Sequence, residues 1–470
     1  MNIRYGLLMP HPPIIIPDIG RGEEKKIRRT RDSMKLMSEE INRINPETIV
    51  LITPHGNLFR DAISVSYDDV LEGDFGAFGY SGLNMSFGND IAFVDRILKM
   101  ALENNIPAVK VDDSLKRDYL LDSRLDHGAL VPLHFISKNY PFFKLVHITY
   151  GLLSSETLYE FGMIIKKAAK NLNRETIVIA SGDLSHRLTK DAPAGYKEEG
   201  KVFDESMMRY LEKDDRVSIL TFDEKLAEKA AECGLRSVQM MLGSLDGLET
   251  ENRVLSYEGP FGVGYGCVEL KVKGMQLGGD VLEEIKNAKK MKQEKRRQSE
   301  HQMVKLARKA LETYVLEGRK LSLIEAPLEE GVMNEIQAGT FVSIKKNGEL
   351  RGCIGTIFPT KEIVNEEIIE NAINAGCYDP RFQPVEKSEL DQLTYSVDIL
   401  GKPEKINTKE MLDPQEYGVI VTYKEKKALL LPNLEGIDTV EEQLRIVLKK
   451  AGISKDDEFE MERFRVVRYQ

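Results

Sequence analysis

The chain contains no tryptophan, and only four of its 470 residues are cysteine. Cys233, Cys267, Cys353 and Cys377 are too few and too scattered for a disulfide framework, and no pair has zinc-finger spacing, so reduced thiols are expected. Long apolar runs are missing, which excludes a bilayer-spanning helix, and the N-terminus lacks the basic region and cleavage site of a signal peptide. The expected compartment is the cytoplasm, with no membrane partner. An excess of positive charge is missing as well. The formal charge is -10 with 30% charged residues, a mildly acidic, solvated surface that argues against nucleic acid as a partner. Tandem repeats are absent, and low complexity is confined to one charged run.

Length is the first positive signal, because 470 residues exceed what one ordinary core accommodates, and two domains are expected. Histidine gives the second. Of seven histidines, six precede residue 190, and only His301 follows, which suggests metal or acid/base chemistry confined to the first domain. The charged run Glu283 to Arg297 marks an interdomain helix, far more easily read as solvated than as nucleic-acid-binding. The boundaries expected are 1–275 for the first domain, 276–302 for the charged linker helix and 303–470 for the second domain.

Three stretches of the first domain repeat one idea. Tyr5-Gly6-Leu7-Leu8-Met9 leads into Pro10-His11-Pro12-Pro13, and Thr48-Ile49-Val50-Leu51-Ile52-Thr53 into Pro54-His55-Gly56. Thr176-Ile177-Val178-Ile179 runs into Ser181-Gly182-Asp183-Leu184-Ser185-His186. Each reads as a buried strand ending in a turn with a histidine. Strand and helix patterns alternate between them, a βαβ rhythm. The fold class expected is α/β: an N-terminal α/β domain with a central mixed sheet flanked by helices, and a smaller C-terminal α+β domain. In such a sheet the carboxyl ends of the strands face the ligand crevice, so the three histidines converge there.

Local expectations follow from the same patterns. Helices are expected over Arg21–Asn45, Asp90–Asn105, Ser154–Leu172 and Asp223–Leu245, the last containing Ala231-Glu232-Cys233-Gly234; the Gly-rich piece Gly73–Gly88 reads as a loop or hairpin. A last strand over Gly264–Val272 closes the domain.

Ferrous iron in oxygenases is commonly held by two histidines and one carboxylate, leaving positions open for substrate and dioxygen. His11 and His55, each in a proline-stiffened segment past a strand, supply the histidines. Glu232 is the first choice for the carboxylate, late in the same domain at an unusual break in a helical pattern; Cys233 is its rival, since a thiolate also binds iron, copper or zinc. Pattern alone leaves Glu232 readable as one more surface acid. His186 has the character of a general acid/base. Asp183 would orient that ring or bind substrate, although Asp183 and Ser185 also have the character of caps for a following helix. His127, after Asp126, would donate a hydrogen bond to substrate, or be satisfied by backbone.

Pro10-His11-Pro12-Pro13, Thr53-Pro54-His55-Gly56, Asp126-His127-Gly128 and Gly182-Asp183-Leu184-Ser185-His186, in that order, resemble the signature of class III extradiol ring-cleavage dioxygenases. This is the LigB-like superfamily that includes the Memo proteins, and the resemblance covers roughly residues 1 to 272. It implies His11 and His55 as iron ligands, His186 as acid/base residue and His127 in the substrate pocket. The third ligand would be a glutamate, matched by Glu232, or in the Memo branch a cysteine, matched by Cys233-Gly234. Residues 303–470 resemble the AMMECR1 domain through Leu350-Arg351-Gly352-Cys353-Ile354-Gly355 and Asp379-Pro380-Arg381-Phe382. There Cys353 would be a nucleophile if its pKa were lowered, and Arg351 an anion ligand, although Arg351 to Gly355 reads more simply as a tight strand-edge turn.

The leading expectation is an Fe(II)-dependent dioxygenase, with zinc or copper as alternative metals, acting with dioxygen on a small catechol- or aminophenol-like aromatic substrate. The resemblance also implies a radical-SAM partner protein in the same pathway. The alternatives are a non-catalytic metal- or peptide-binding adaptor and a zinc hydrolase using the same ligands. The sequence leaves an oligomer open.

Overall fold

The computed structural model describes residues 2–276, 280–326, 336–346, 348–434 and 436–470. The chain divides into two compact units, Met1–Met291 and Lys292–Gln470, and the charged run forms the helix Val281–Ser299. Among the described residues no helix is long and apolar enough to cross a membrane.

The first unit has ten strands: β1 Ile3–Met9, β2 Thr48–Thr53, β3 Ile63–Ser66, β4 Val70–Phe75, β5 Tyr80–Gly88, β6 Ala108–Val111, β7 Lys144–Thr149, β8 Thr176–Ser181, β9 Leu248–Glu258 and β10 Tyr265–Met275. Eight form one sheet in the order β6-β3-β7-β2-β8-β1-β10-β9, and β4 pairs with β5 as a separate hairpin. The centre is parallel, with β7 and β8 flanking β2 and with β1 beside β8. β10 and β9 add antiparallel strands at one edge, and β3 lies antiparallel to β7 near the other. The sheet is mixed, as expected.

Every residue of β2 and β8 is buried, because both faces of the sheet are covered. Val50, Ile52, Val178 and Ala180 face one core with helices Ile91–Glu103, Ser155–Leu172 and Leu235–Ser244. Ile49, Leu51, Ile177 and Ile179 face the other, with helices Arg28–Ile44 and His127–Asn139. Burial of this kind contributes about 25 cal/mol per Å² of apolar surface, which is why these runs carry little but β-branched and aliphatic side chains.

Two expectations need correction here. The stretch Asp223–Leu245 is not one helix but two, Glu224–Ala230 and Leu235–Ser244. Ala231 closes the first in a left-handed conformation at φ 52°, and Gly234 precedes the second. Before β10 stands β9, a strand the sequence reading left out: as an edge strand it alternates charged, solvent-facing Glu249, Glu251 and Arg253 with half-buried residues, so it lacks an apolar run.

The second unit contains β11 Thr340–Lys346, β12 Glu349–Gly355, β13 Leu393–Leu400, β14 Glu404–Ile406, β15 Gly418–Tyr423, β16 Lys426–Leu430, β17 Glu460–Phe464 and β18 Val466–Tyr469. They form two four-stranded sheets, β12-β11-β13-β18 and β14-β17-β15-β16. Helices Gln302–Glu317 and Val364–Cys377 share a core with the first sheet and Val440–Ala451 with the second. Arg351 to Gly355 is not a turn but part of edge strand β12. Gly352 serves helix packing instead, since a Cβ there would overlap the carbonyl oxygen of Ala375.

Candidate metal centre

Three neighbouring parallel strands, β2, β8 and β1, end on the same side of the sheet. At about 4.8 Å between strands, residues just past their ends fall within about 10 Å of one another. His55 follows β2, His11 follows β1, and Ser181 to His186 extend β8. The result is a group of three donors, His11, His55 and Cys233, whose ligand atoms all lie within 4.8 Å of one another.

His11 is the most constrained member. Its ring Nδ1 lies 2.9 Å from Ser181 Oγ, and its backbone N–H donates to Asp183 Oδ1 at 2.9 Å. Ser181 Oγ donates its one hydrogen to the carbonyl of Gly128, so it accepts from His11 Nδ1–H. A neutral His11 therefore keeps its lone pair on Nε2, which faces His55 Nε2 at 3.1 Å. Two ligand nitrogens with metal bonds of about 2.1 Å would lie about 3.0 Å apart at octahedral and about 3.4 Å apart at tetrahedral angles, so this separation suits a shared ion.

Cys233 completes the group, with Sγ 3.7 Å from His11 Nε2. The break between helices delivers it. Its N–H donates to Asp183 O at 3.3 Å, the Tyr150 hydroxyl donates to its carbonyl at 3.2 Å, and the backbones of Gly182 and Gly234 touch so closely that a Cβ on Gly182 would overlap Gly234 Cα. Cys233, the rival of Glu232 in the sequence, is the donor grouped with the two histidines. Glu232, the first choice, is not in the group; its Oε2 accepts the N–H of Leu235 at 2.6 Å, closing the first turn of the following helix. The donor set fits a soft or borderline transition metal, zinc, copper or iron, and not magnesium or calcium.

Burial keeps the donors uncharged. His11 is 1% exposed, and burial, then the neighbouring His55, push its pKa well below the ordinary imidazole value. His55 falls to about 4 through partial burial and His127, although the residue is exposed to solvent. Burial also pushes the Cys233 thiol well up, and raises Asp183 to about 6 and Glu232 to about 7. Neutral imidazoles are the form a cation requires, and a bound cation would reverse the thiol's preference.

His127 opens the helix His127–Asn139, and its ring stacks on His55 at 4.3 Å between centroids, with Phe78 of the β4–β5 hairpin edge-on at 5.2 Å. Burial and His11 lower its pKa to about 4. His186 lies close enough for its charge to act on His11, His55 and Asp183, and its buried Nδ1 has no hydrogen-bond partner. Its backbone N–H donates to Ala230 O at 3.1 Å, which joins the His186 loop to the helix break that carries Cys233. Asp183 and Ser185 cap no helix. Asp183 holds the His11 backbone, and Ser185 Oγ donates to Ala230 O at 2.9 Å.

Sequence reasoning missed Ser181, Thr53 and His147. His147 carried a signal, a lone histidine inside the apolar strand β7, and Ser181 and Thr53 are the hydroxyl residues that end β8 and β2.

In the second unit, Cys353, Asp379 and Arg381 come together. Asp379 Oδ2 accepts the Cys353 N–H at 2.9 Å, Arg381 pairs with both oxygens of Asp379 at 2.9 and 2.7 Å, and Arg381 also donates to Cys353 O at 3.2 Å. Ser343 Oγ donates to Cys353 Sγ at 3.2 Å. Arg351, expected as an anion ligand, already has one: it forks onto Glu389 at 3.1 and 2.9 Å.

Comparison with known families and proteins agrees with this division. Residues 5–268 match the family described as the catalytic LigB subunit of aromatic ring-opening dioxygenase, and residues 304–470 match AMMECR1. Protein CA_C1420 of Clostridium acetobutylicum is 43% identical over 470 residues, covering 100% of both chains. A protein of Thermotoga maritima is 49% identical over 173 residues, 36% of this chain and 98% of its own length. The crystal structure of protein PH0010 from Pyrococcus horikoshii, 30% identical, covers 35% of this chain and 88% of its own, with a TM-score of 0.33.

Proposed function

We propose, because the chain belongs to the LigB family of catalytic subunits of aromatic ring-opening dioxygenases and carries an AMMECR1 domain, that its first unit opens a catechol- or aminophenol-like ring with dioxygen. The observation that supports this reading is the convergence of His11 Nε2, His55 Nε2 and Cys233 Sγ, with His127 and His186 beside them. An Fe(II) ion held by those three donors would supply a Lewis-acidic centre with positions open to the ring oxygens and to dioxygen. Both atoms of dioxygen end in the ring-opened product, so no external reductant is needed.

The chain's own residues have distinct tasks. His186, whose buried Nδ1 has no hydrogen-bond partner, takes a proton from the ring hydroxyl and returns it on opening. His127 donates a hydrogen bond to a substrate oxygen, and Phe78 lies edge-on to its ring. Asp183 fixes the His11 backbone. The AMMECR1 unit and a radical-SAM partner protein would serve the same pathway.

Cys233 in the position expected for Glu232 favours a second reading, in which a thiolate-bound zinc or copper ion serves hydrolysis or partner recognition without oxygen. Protein purified without oxygen separates the two. The dioxygenase reading expects iron near one equivalent and oxygen uptake with catechol or 2-aminophenol that vanishes in His186→Ala. Iron-loaded protein that consumes no oxygen with either ring overturns it.

A further inference from the structure

One carboxylate outside the donor group touches elements leading to both imidazole ligands. Asp126 Oδ1 accepts from Thr53 Oγ1 at 2.6 Å, and Thr53 Oγ1 in turn accepts the backbone N–H of His55 at 3.2 Å. The same Oδ1 accepts the Ala129 N–H at 3.2 Å, capping the helix that His127 opens. Gly128, in that first turn, offers its carbonyl to Ser181, and Ser181 holds His11 Nδ1. Asp126 thus connects to His55 through β2 and to His11 through the helix and β8.

Behind Asp126 stands an imidazole of its own. His147 Nε2 lies 3.0 Å from Asp126 Oδ2, and His147 Nδ1 lies 2.9 Å from Ser66 Oγ on β3. An ionised Asp126 only accepts, so His147 donates from Nε2, and the Ser66 hydroxyl donates to Nδ1. Burial pushes the Asp126 carboxyl up, but the hydrogen bond and charge of His147, the Thr53 hydroxyl and the charge of His127 together hold it well below the usual carboxylate range. Space around it is tight: a Cβ on Gly128 would overlap Thr53 Oγ1, and one on Gly56 would overlap Thr149 Oγ1 and lie 3.4 Å from Asp126 Oδ2.

We infer that Asp126, oriented by His147, is a positioning residue that sets the mutual angle of the His11 and His55 rings. The inference rests on the metal reading above. A ligand imidazole turns freely unless its second nitrogen or its backbone is anchored, and loss of such an anchor weakens metal binding by about 10- to 100-fold. Here a single anchor would serve two rings, so its loss changes the angle between donors as well as each donor's freedom.

Co(II), whose absorption reports both a bound thiolate and the donor angles, is the probe for the full-length chain stripped by a chelator. Asp126→Asn is expected to weaken Co(II) binding by about 10- to 100-fold and to shift its ligand-field bands, while saturating Co(II) restores the thiolate band from Cys233. His147→Gln, which keeps an amide donor near the Nε2 position, is expected to recover most of the affinity that His147→Ala loses. Thr53→Val keeps the shape and cuts only the β2 route, so it reads the effect should Asp126→Asn not fold. Wild-type affinity and superimposable spectra in Asp126→Asn and Thr53→Val would overturn the inference, as would equal behaviour of His147→Gln and His147→Ala. Failure of the wild type to take up Co(II) would instead overturn the metal reading itself.

Discussion

Cys233 stands among groups whose charged forms burial disfavours, whereas Cys353 stands among ion pairs that are already closed. Around Cys233 the imidazoles of His11, His55 and His127 resist protonation, and Asp183 and Glu232 resist ionisation. Around Cys353 each arginine has its acid: Arg351 with Glu389, Arg381 with Asp379 and, two strands away, Arg468 with Asp398. Lone pairs without a proton or partner in a low-dielectric site invite a cation. Neutralised pairs hold a backbone in place and invite nothing. The difference teaches that a cysteine in a sequence motif acquires its chemistry from the charge its neighbours leave unanswered.

The largest test of this contrast is on the donors. Cys233→Ala is expected to weaken metal binding by more than about 100-fold, beyond what loss of an outer anchor costs. Glu232→Ala should leave affinity within about threefold and lose about 1 kcal/mol of stability, the worth of one hydrogen bond. Metal titration and urea unfolding of both variants check this, and equal metal loss in the two would erase the distinction between neighbouring residues.

A smaller effect belongs to the second unit. Arg351→Ala leaves Glu389 with Lys346 as its remaining cation at 3.0 Å and is expected to destabilise that unit by about 2 kcal/mol, less than a fully orphaned buried charge. Metal uptake in the first unit should not change. A variant that loses metal would show that the two clusters are not independent.

The smallest effect is in pH. In metal-free protein the unfolded His127 binds a proton near pH 6.5, but the folded one only at about 4. Between those values the unfolded chain binds more protons, so stability falls as pH drops from about 6.5 to about 4. Urea unfolding across that window should show a shallower slope in His127→Gln. An unchanged slope would mean that the ring is not desolvated.

Much of this site was legible in the sequence because buried parallel strands have few ways to be written. β2 and β8 need apolar residues at every position, so their ends stand out, and proline and histidine just beyond them mark the crevice. The third donor was harder. Cys233-Gly234 shows a break in the helical pattern of Asp223 to Leu245, but that pattern does not announce the left-handed Ala231 at φ 52°, a conformation that alanine pays for in sterics and that separates the two helices. Asp126 was visible only as a neighbour of His127, because its contacts with Thr53 and His147 join residues 73 and 21 positions away. β9 and β12 escaped because edge strands need no apolar run.

The hydroxyl of Ser181 has a consequence for charge at the centre. Since its hydrogen goes to Gly128, the hydrogen on His11 is confined to the far side of the ring before any ion arrives. A divalent ion seating itself at neutral pH then displaces a proton from Cys233, and His11 keeps its hydrogen where it is. Two positive charges arrive and one leaves, so an incoming oxyanion meets a centre with a single unit of positive charge.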